Sequence, residues 1–376
     1  MIGTCLRHLA RLAVIGALAA GQGPLIAAAQ SRSPETDAEK ACVASVRADV
    51  EKGRSALPLI TPPGPLDLAA LKGKTVWFIP ISFNQFASDW EAGLKEAADV
   101  AGVTLVTFDT KGSIATANEA VSQAVAQKAD GIIILAIQPS VISGPLAEAK
   151  AAGIPVLNGF NGDTGDAVPD GMFGNFTSDF TADAELGVKW ALWDSGCKTD
   201  MVMIMTSSGV VWSNMGVGSA AAMQKYCPEC TIKVIDIDYG NLAGSLGGQL
   251  QAALQVDPGI NYIFPAGDSL VPYIAPILAS ADSKAKVISR DGVSASIEMI
   301  ANKAGQDMTL AMPDFKWVGW AAFDDIARAM LKLPRQDYNI PTQIIDASNI
   351  GSGKPEDQFP AYANFREEFQ RIWAGK

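Results

Sequence analysis

The sequence predicts an α/β protein made of two doubly wound parallel-sheet lobes joined by a multi-strand hinge. Three observations carry that prediction. Short apolar runs alternate with helical patterns along most of the chain, as strands buried on both faces and linked by right-handed helical crossovers do. The alternating series runs twice in succession. The length of 376 residues is about twice that of an ordinary domain.

Taken in order, the first residues read as an export signal. Arg7 and Arg11 lead into an apolar run over 12–20, and Ala27-Ala28-Ala29 offers a small-residue cleavage site. The run is too short to span a bilayer, and Gly21, Gln22, Gly23 and Pro24 interrupt it. Residues 1–29 are therefore expected to be a signal peptide, with the mature chain starting near Gln30 in the periplasm. Cys5 precedes the apolar run, the wrong side for a lipid-anchoring cysteine.

Residues 30–73 form an extension ahead of the main fold. A helical pattern over 35–54 sets Ala38, Ala41, Cys42 and Val46 along one side. The run Thr61-Pro62-Pro63-Gly64-Pro65 forbids helix and suits an extended crossing segment.

The first alternating series follows. Strands are predicted at 75–79, 103–108, 131–135 and 154–157, with a fifth at 172–174. Helices are predicted at 89–101, 114–128 and 141–152, the first and last stopped by Gly102 and Gly153. The second series gives helices at 181–193, 217–226, 242–255, 271–280 and 295–301, with strands at 201–205, 231–237, 260–264 and 286–289. Strands at 309–312 and 342–347 then flank an amphipathic helix at 318–331, and a last helix covers 361–373. The two late strands lack partners of their own, so they are expected to complete the two earlier sheets. That puts residues 74–178 plus 312–345 in one lobe and 179–311 plus 346–376, with the C-terminal helix, in the other. Repeated crossings of this kind make a hinge.

Composition narrows the function. Without residues 1–29 the chain carries 27 basic and 40 acidic side chains, a formal charge of −13. Nucleic acid is excluded as a partner, because phosphate binding needs clustered Lys and Arg. The single histidine, His8, lies in the export signal. Ser-His-Asp and Cys-His chemistry, and histidine metal ligation, are thereby ruled out for the mature chain. No catalytic residue, metal or cofactor is expected.

Four cysteines remain after cleavage: Cys42, Cys197, Cys227 and Cys230. Three connectivities are open, and an oxidising compartment favours disulfides. Cys227 and Cys230 are close enough to pair locally, which would leave Cys42 for Cys197. The Cys-x-x-Cys run closes a helix rather than opening one, unlike a redox motif, and no second close pair completes a zinc site. Gly216-Val217-Gly218 falls within a helix and lacks the third glycine of a dinucleotide loop.

Several local features, in order and spacing, resemble the type I periplasmic binding proteins, the ribose- and galactose-binding group in particular. They are Ser82-Phe83-Asn84-Gln85-Phe86 after the first strand, Lys128-Ala129-Asp130-Gly131 before the third, and Ala152-Gly153-Ile154-Pro155-Val156 at the fourth. Arg290-Asp291-Gly292 and Trp317-Val318-Gly319-Trp320-Ala321-Ala322 complete the set. The match spans most of residues 74–350. The resemblance implies a bilobed clamp that captures a small polar solute, a sugar or polyol. It also implies delivery to an ABC permease and its ATPase. The chain is expected to be a monomer, and the lack of a histidine outside the export signal argues against an enzyme. An aromatic or less hydroxylated cargo, or a sensory role on a membrane receptor, are the alternatives.

Open α/β sheets bind ligands beyond the carboxyl ends of their strands, which selects the loops to inspect. Phe83, Asn84, Gln85 and Phe86 offer rings for a sugar face and amides for its hydroxyls. Asn158, Phe160, Asn161 and Asp163 follow the fourth strand, although Asn158-Gly159 also suits a turn. Trp212 and Ser213 belong to a loop that opens a helix, where unpaired N–H groups wait. Asp268 and Asp291 follow second-lobe strands and could accept hydroxyls or cap helices. The resemblance places Asp291 at the family's sugar-binding carboxylate, with Arg290 beside it. Trp317 and Phe315 are expected at the last crossing between lobes, near Met312. The arginine that the ribose pattern has near Ser213 is missing, and so is its acid–arginine pair near Asn158.

Overall fold

Two sheets of the same winding organise the chain. The computed structural model describes residues 35–376 apart from 239 and 240. The export signal expected over 1–29, with Arg7, His8 and Arg11, lies outside the described residues.

The extension opens with α1 (Asp37–Gly53), started by a capping box in which Thr36 and Glu39 bond reciprocally. A proline-containing strap and the short α2 (Leu68–Leu71) follow. The first lobe then runs β1 (Thr75–Pro80), α3 (Gln85–Ala101), β2 (Thr104–Thr107), α4 (Ile114–Ala126), β3 (Gly131–Leu135), α5 (Ser143–Ala151), β4 (Val156–Gly159) and β5 (Gly174–Phe176). Its strands are parallel in the order β2-β1-β3-β4-β5. The fifth strand lies two residues beyond the predicted 172–174.

The second lobe runs α6 (Phe180–Ser195), β6 (Asp200–Met205), α7 (Val210–Tyr226), β7 (Thr231–Asp236), α8 (Leu242–Val256), β8 (Tyr262–Pro265), α9 (Val271–Ser280), β9 (Lys286–Asp291), α10 (Ser294–Ala301) and β10 (Met308–Ala311). Read from β7, its order β7-β6-β8-β9-β10 repeats the winding of the first. The chain then passes to α11 (Phe315–Met330), β11 (Gln343–Asp346) and α12 (Phe365–Trp373).

The late elements do not divide as the sequence suggests. Both late strands join the second sheet: β10 pairs parallel with β9, and β11 pairs antiparallel with β10. What returns to the first lobe is a helix. α11 crosses α3 so closely that a Cβ on Gly93 would sit 2.2 Å from the Lys316 carbonyl, and one on Gly319 would sit 2.4 Å from the Leu94 nitrogen. Only glycine permits that approach. The chain re-enters the second sheet at Gln343, just before the expected boundary at 345.

The C-terminal helix, expected with the second lobe, packs on α11 instead. Its stripe Phe365, Phe369 and Trp373 meets Trp320, and Trp373 also meets Phe323. Arg366 pairs with Glu96 of α3. The aromatic spacing of α12 therefore decides its lobe.

The extension bridges both lobes. α1 is tied to the second lobe by the Cys42–Cys197 disulfide and by the Lys189–Asp49 and Arg54–Asp346 ion pairs. The strap beyond it docks on the first lobe, where Trp317, Arg328 and Tyr362 donate to the carbonyls of Ile60, Gly64 and Pro58. Cys227 and Cys230 form the second disulfide, so the pairing is the local one plus its remainder.

Candidate functional site

The winding fixes where a site can form. In each sheet the strand order reverses once, between β1 and β3 and between β6 and β8. Loops diverge at such a switch point and leave a crevice at the carboxyl ends of the strands. In the first lobe the crevice is flanked by Ser82 to Phe86 and by Ala136-Ile137-Gln138. In the second it is flanked by Thr206-Ser207-Ser208 and by Ala266-Gly267-Asp268.

Three chain crossings link the two lobes. The first, Thr177-Ser178-Asp179, joins β5 to α6. The second, Met312-Pro313-Asp314, joins β10 to α11. The third, over 331–342, joins α11 to β11. The first and third are bonded directly, with the Ile340 N–H donating to the Thr177 carbonyl at 2.9 Å.

A run of rings leads from the first lobe to these crossings. Phe86 packs edge-on against Phe315 at 5.2 Å and against Phe160 at 5.3 Å. Phe160 in turn meets Trp90, Phe176 and Phe180. Phe160 is buried and has a φ of 47°, a left-handed backbone that turns the loop after β4 back over the rings. The Arg290 guanidinium lies over the Phe180 ring at 3.7 Å, within cation–π range.

Arg290 holds the second-lobe side of the site. It is fully buried, with its Nη1 donating to Asp291 at 2.8 Å and its Nε to Asp183 at 2.7 Å. Asp291 ends β9 at a φ of 125°, a conformation that costs a non-glycine residue about 1–3 kcal/mol. Its other oxygen accepts from the Asp268 N–H at 3.3 Å. Burial pushes the Asp291 carboxyl up to about 8, with Arg290 opposing and Asp268 adding to the rise. Trp212 meets this carboxylate across Gly267. A Cβ on Gly267 would lie 3.0 Å from Asp291 Oδ2 and 4.0 Å from Trp212 Cζ2. A carboxyl oxygen, the Ser269 hydroxyl at 3.8 Å from the same point and an indole edge thus converge on Gly267.

The remaining candidates separate clearly. Phe83 is 41% exposed, and its N–H donates to Asp109. Asn84 caps α3 through the Ala87 N–H. Ser213 sits in the first turn of α7, beside Trp212, with its N–H donating to Gly209. Asn158 is 1% exposed, and its amide donates to Asn175 and to the Asn161 carbonyl, which steadies the loop after β4. Asn161 donates to Ile137, while Asp163 accepts from Phe180, Thr181 and Asn214 and so pins that loop to the second lobe.

Asp268 is committed internally. One oxygen accepts from the N–H groups of Gly292 and Val293, and the other from Ser289, Gln306 and Thr309. It shapes the turn that carries Asp291, and both of its oxygens are engaged within the lobe. Trp317 is corrected outright. It is fully buried, donates to Ile60 of the strap and packs edge-on against Tyr338 and Tyr362. It lies within α11 on the face turned to the strap, past the crossing it was expected to occupy.

Sequence reasoning missed Ser178, Asp183 and Thr342, none of which carries a local signal.

Comparisons with known proteins agree with this fold. The family described as "Periplasmic binding protein domain" matches residues 76–332. A solute-binding protein of an ABC transporter from Agrobacterium vitis, bound with alpha-D-tagatopyranose, is similar in structure with a TM-score of 0.66 at 20% identity, covering 78% of this chain and 98% of that one. One from Actinobacillus succinogenes with bound D-allose gives 0.65 at 19% identity, covering 74% and 99%. One from Mycobacterium smegmatis with bound glycerol gives 0.64 at 22% identity, covering 77% and 96%. Among curated proteins no relative matches the chain.

Proposed function

The chain belongs to the periplasmic binding protein family, a family of binding proteins and not of enzymes, and from that premise we propose that it captures a neutral sugar or polyol between its lobes and delivers it to an ABC permease. The observation that carries the reading is the convergence of the Asp291 carboxyl and the Trp212 indole on Gly267, at the switch point of the second sheet. A carboxyl group bonds adjacent hydroxyls in either state, as an acceptor when ionised and as both donor and acceptor when protonated, and an indole packs on the C–H face of a pyranose or furanose ring. Phe83, Asn84, Phe86 and Ser213 would contribute from the surrounding rim. Arg290 spends its donors on Asp183, Asp291 and Ser178. It is therefore poorly placed to receive a carboxylate or phosphate ligand, which favours an uncharged guest.

An aromatic cargo is the second reading, favoured by the number of rings. Against it, Phe86, Phe160 and Phe315 turn their edges and faces to one another and so fill the interior. Neighbours in structure such as the tagatose, allose and glycerol complexes lean toward hydroxylated guests.

Thermal melting against sugars, polyols, cyclitols and small aromatic acids tests the reading, because a ligand of the native state raises the melting temperature. A rise with a hydroxylated compound is expected. A rise with aromatic acids alone would replace it by the second reading. Permease and ATPase genes beside this one would support transport, whereas a receptor or kinase gene would support sensing.

A further inference from the structure

The three crossings between the lobes are far apart in sequence, yet one buried side chain touches the machinery of all three. Arg290 Nη2 donates to the Ser178 hydroxyl of the first crossing and lies 3.9 Å from the Met312 sulfur of the second. Its Nε partner, Asp183, accepts at 2.5 Å from the hydroxyl of Thr342, which closes the third. The fourth contact, through Nη1, goes to Asp291. Each nitrogen of this guanidinium is thereby bonded to a crossing residue, to Asp291 or, at Nε, to the aspartate that holds the third crossing.

We propose that Arg290 is a positioning residue that couples the cleft to the hinge: it sets the Asp291 carboxylate and locks the three crossings into one unit that moves together. The inference rests on reading Asp291 as the ligand-accepting carboxylate. Three features support it beyond the contact pattern. Asp291 holds a left-handed backbone that needs an external restraint. The Met312 N–H of the second crossing donates to the Asp291 carbonyl at 3.0 Å, so crossing and carboxylate share a backbone bond as well. Arg290 is also fully buried, and removing one partner of a buried charge network disturbs all the others. A hydroxylated guest pulling on Asp291 would pull on the same guanidinium that holds the crossings, and a shift of one crossing would reorient the carboxylate.

The test needs no ligand. Hydrogen–deuterium exchange of the full chain is compared for the native protein, Thr342→Val and Thr342→Ser. The valine variant keeps the shape of the side chain and removes the hydroxyl that reaches Asp183, and the serine variant restores it. The coupled node predicts that Thr342→Val speeds exchange by about fivefold at the first and second crossings and at 291–293, as well as at its own segment. Thr342→Ser should return all of them to native rates. A change confined to 339–343 would overturn the proposal, because a merely local role for Thr342 moves nothing else. Ser178→Ala repeats the comparison from the first crossing and should loosen the third. Since no sugar enters the experiment, a failed ligand panel and a failed node are read separately.

Discussion

The two lobes share a winding but are held together by different means. The first, from β1 to β5, contains no cysteine, and its site-facing side is a set of interlocked rings around Phe160. The second carries both disulfides, one of them binding the extension to it, and its site-facing side is an ionic node around Arg290. Ring packing spreads its stabilisation over many small contacts. A cross-link or a buried ion pair concentrates it in a few groups whose loss is felt whole. The first lobe should therefore lose stability by degrees under substitution, and the second in large steps.

The largest step belongs to the cross-link between the extension and the second lobe. Cys42 and Cys197 are 155 residues apart, and freeing so long a loop costs about 5 kcal/mol on the chain-entropy estimate. Cys42→Ser with Cys197→Ser should lower the denaturation midpoint far more than opening Cys227–Cys230, which spans 3 residues and is worth about 1.5 kcal/mol on the same estimate. Equal losses from the two pairs would mean that the extension adds nothing beyond local bracing.

Next comes the ionic node. Arg290→Met leaves Asp183 and Asp291 buried without their cation, a loss of about 3–5 kcal/mol. Phe160→Ala, the matching cut through the ring cluster, should cost about 3 kcal/mol, because neighbouring rings relax into part of the space. Urea unfolding of both variants measures the contrast. It disappears if the ring variant proves the more damaging of the two.

How much of this could be read beforehand follows from the range of each signal. The strands announced themselves as local apolar runs, and their alternation gave the doubled winding. The disulfide pairing was within reach because Cys227 and Cys230 are near neighbours. Contacts between distant segments left no local trace. Ser178 and Asp183 stand 112 and 107 residues from Arg290, and nothing in their surroundings marks them as its partners. Asp268 looked like a ligand residue because an acid at a strand end suits that task, and only the fold shows five donors converging on it. Trp317 misled for a related reason. An aromatic near a crossing suits a cleft, and one turn of helix carried it to the strap. α12 was assigned by its place in the chain, whereas its aromatic stripe was the better guide.

The lobes also differ in their response to pH. Asp291 titrates at about 8 in the folded chain and at about 4 when unfolded. The native state therefore binds more protons between those values. Stability from this group is complete below pH 4 and is lost as the pH rises toward 8. The groups facing it are Arg290, Asp268 and, through Arg290, Asp183. Asp291→Asn should flatten the decline, gaining on the native protein at pH 8.5 relative to pH 5 in urea midpoints. Parallel curves would show that Arg290 keeps the carboxylate ionised throughout.

The smallest expected change in stability lies at the first-lobe rim. Phe83 is 41% exposed, and truncating so exposed a ring should leave stability within about 0.5 kcal/mol. Its effect belongs to binding, if the ring closes over a guest held at Asp291 and Trp212. Burying one aromatic face on a ligand contributes about 1 kcal/mol, so Phe83→Ala should weaken the best panel compound by about fivefold while the melting curve without ligand stays in place. Phe160→Ala should do the reverse, shifting the melting curve first. If both variants shift melting and affinity in the same proportion, the rim and the ring cluster are one structure, and the first lobe is as indivisible as the second.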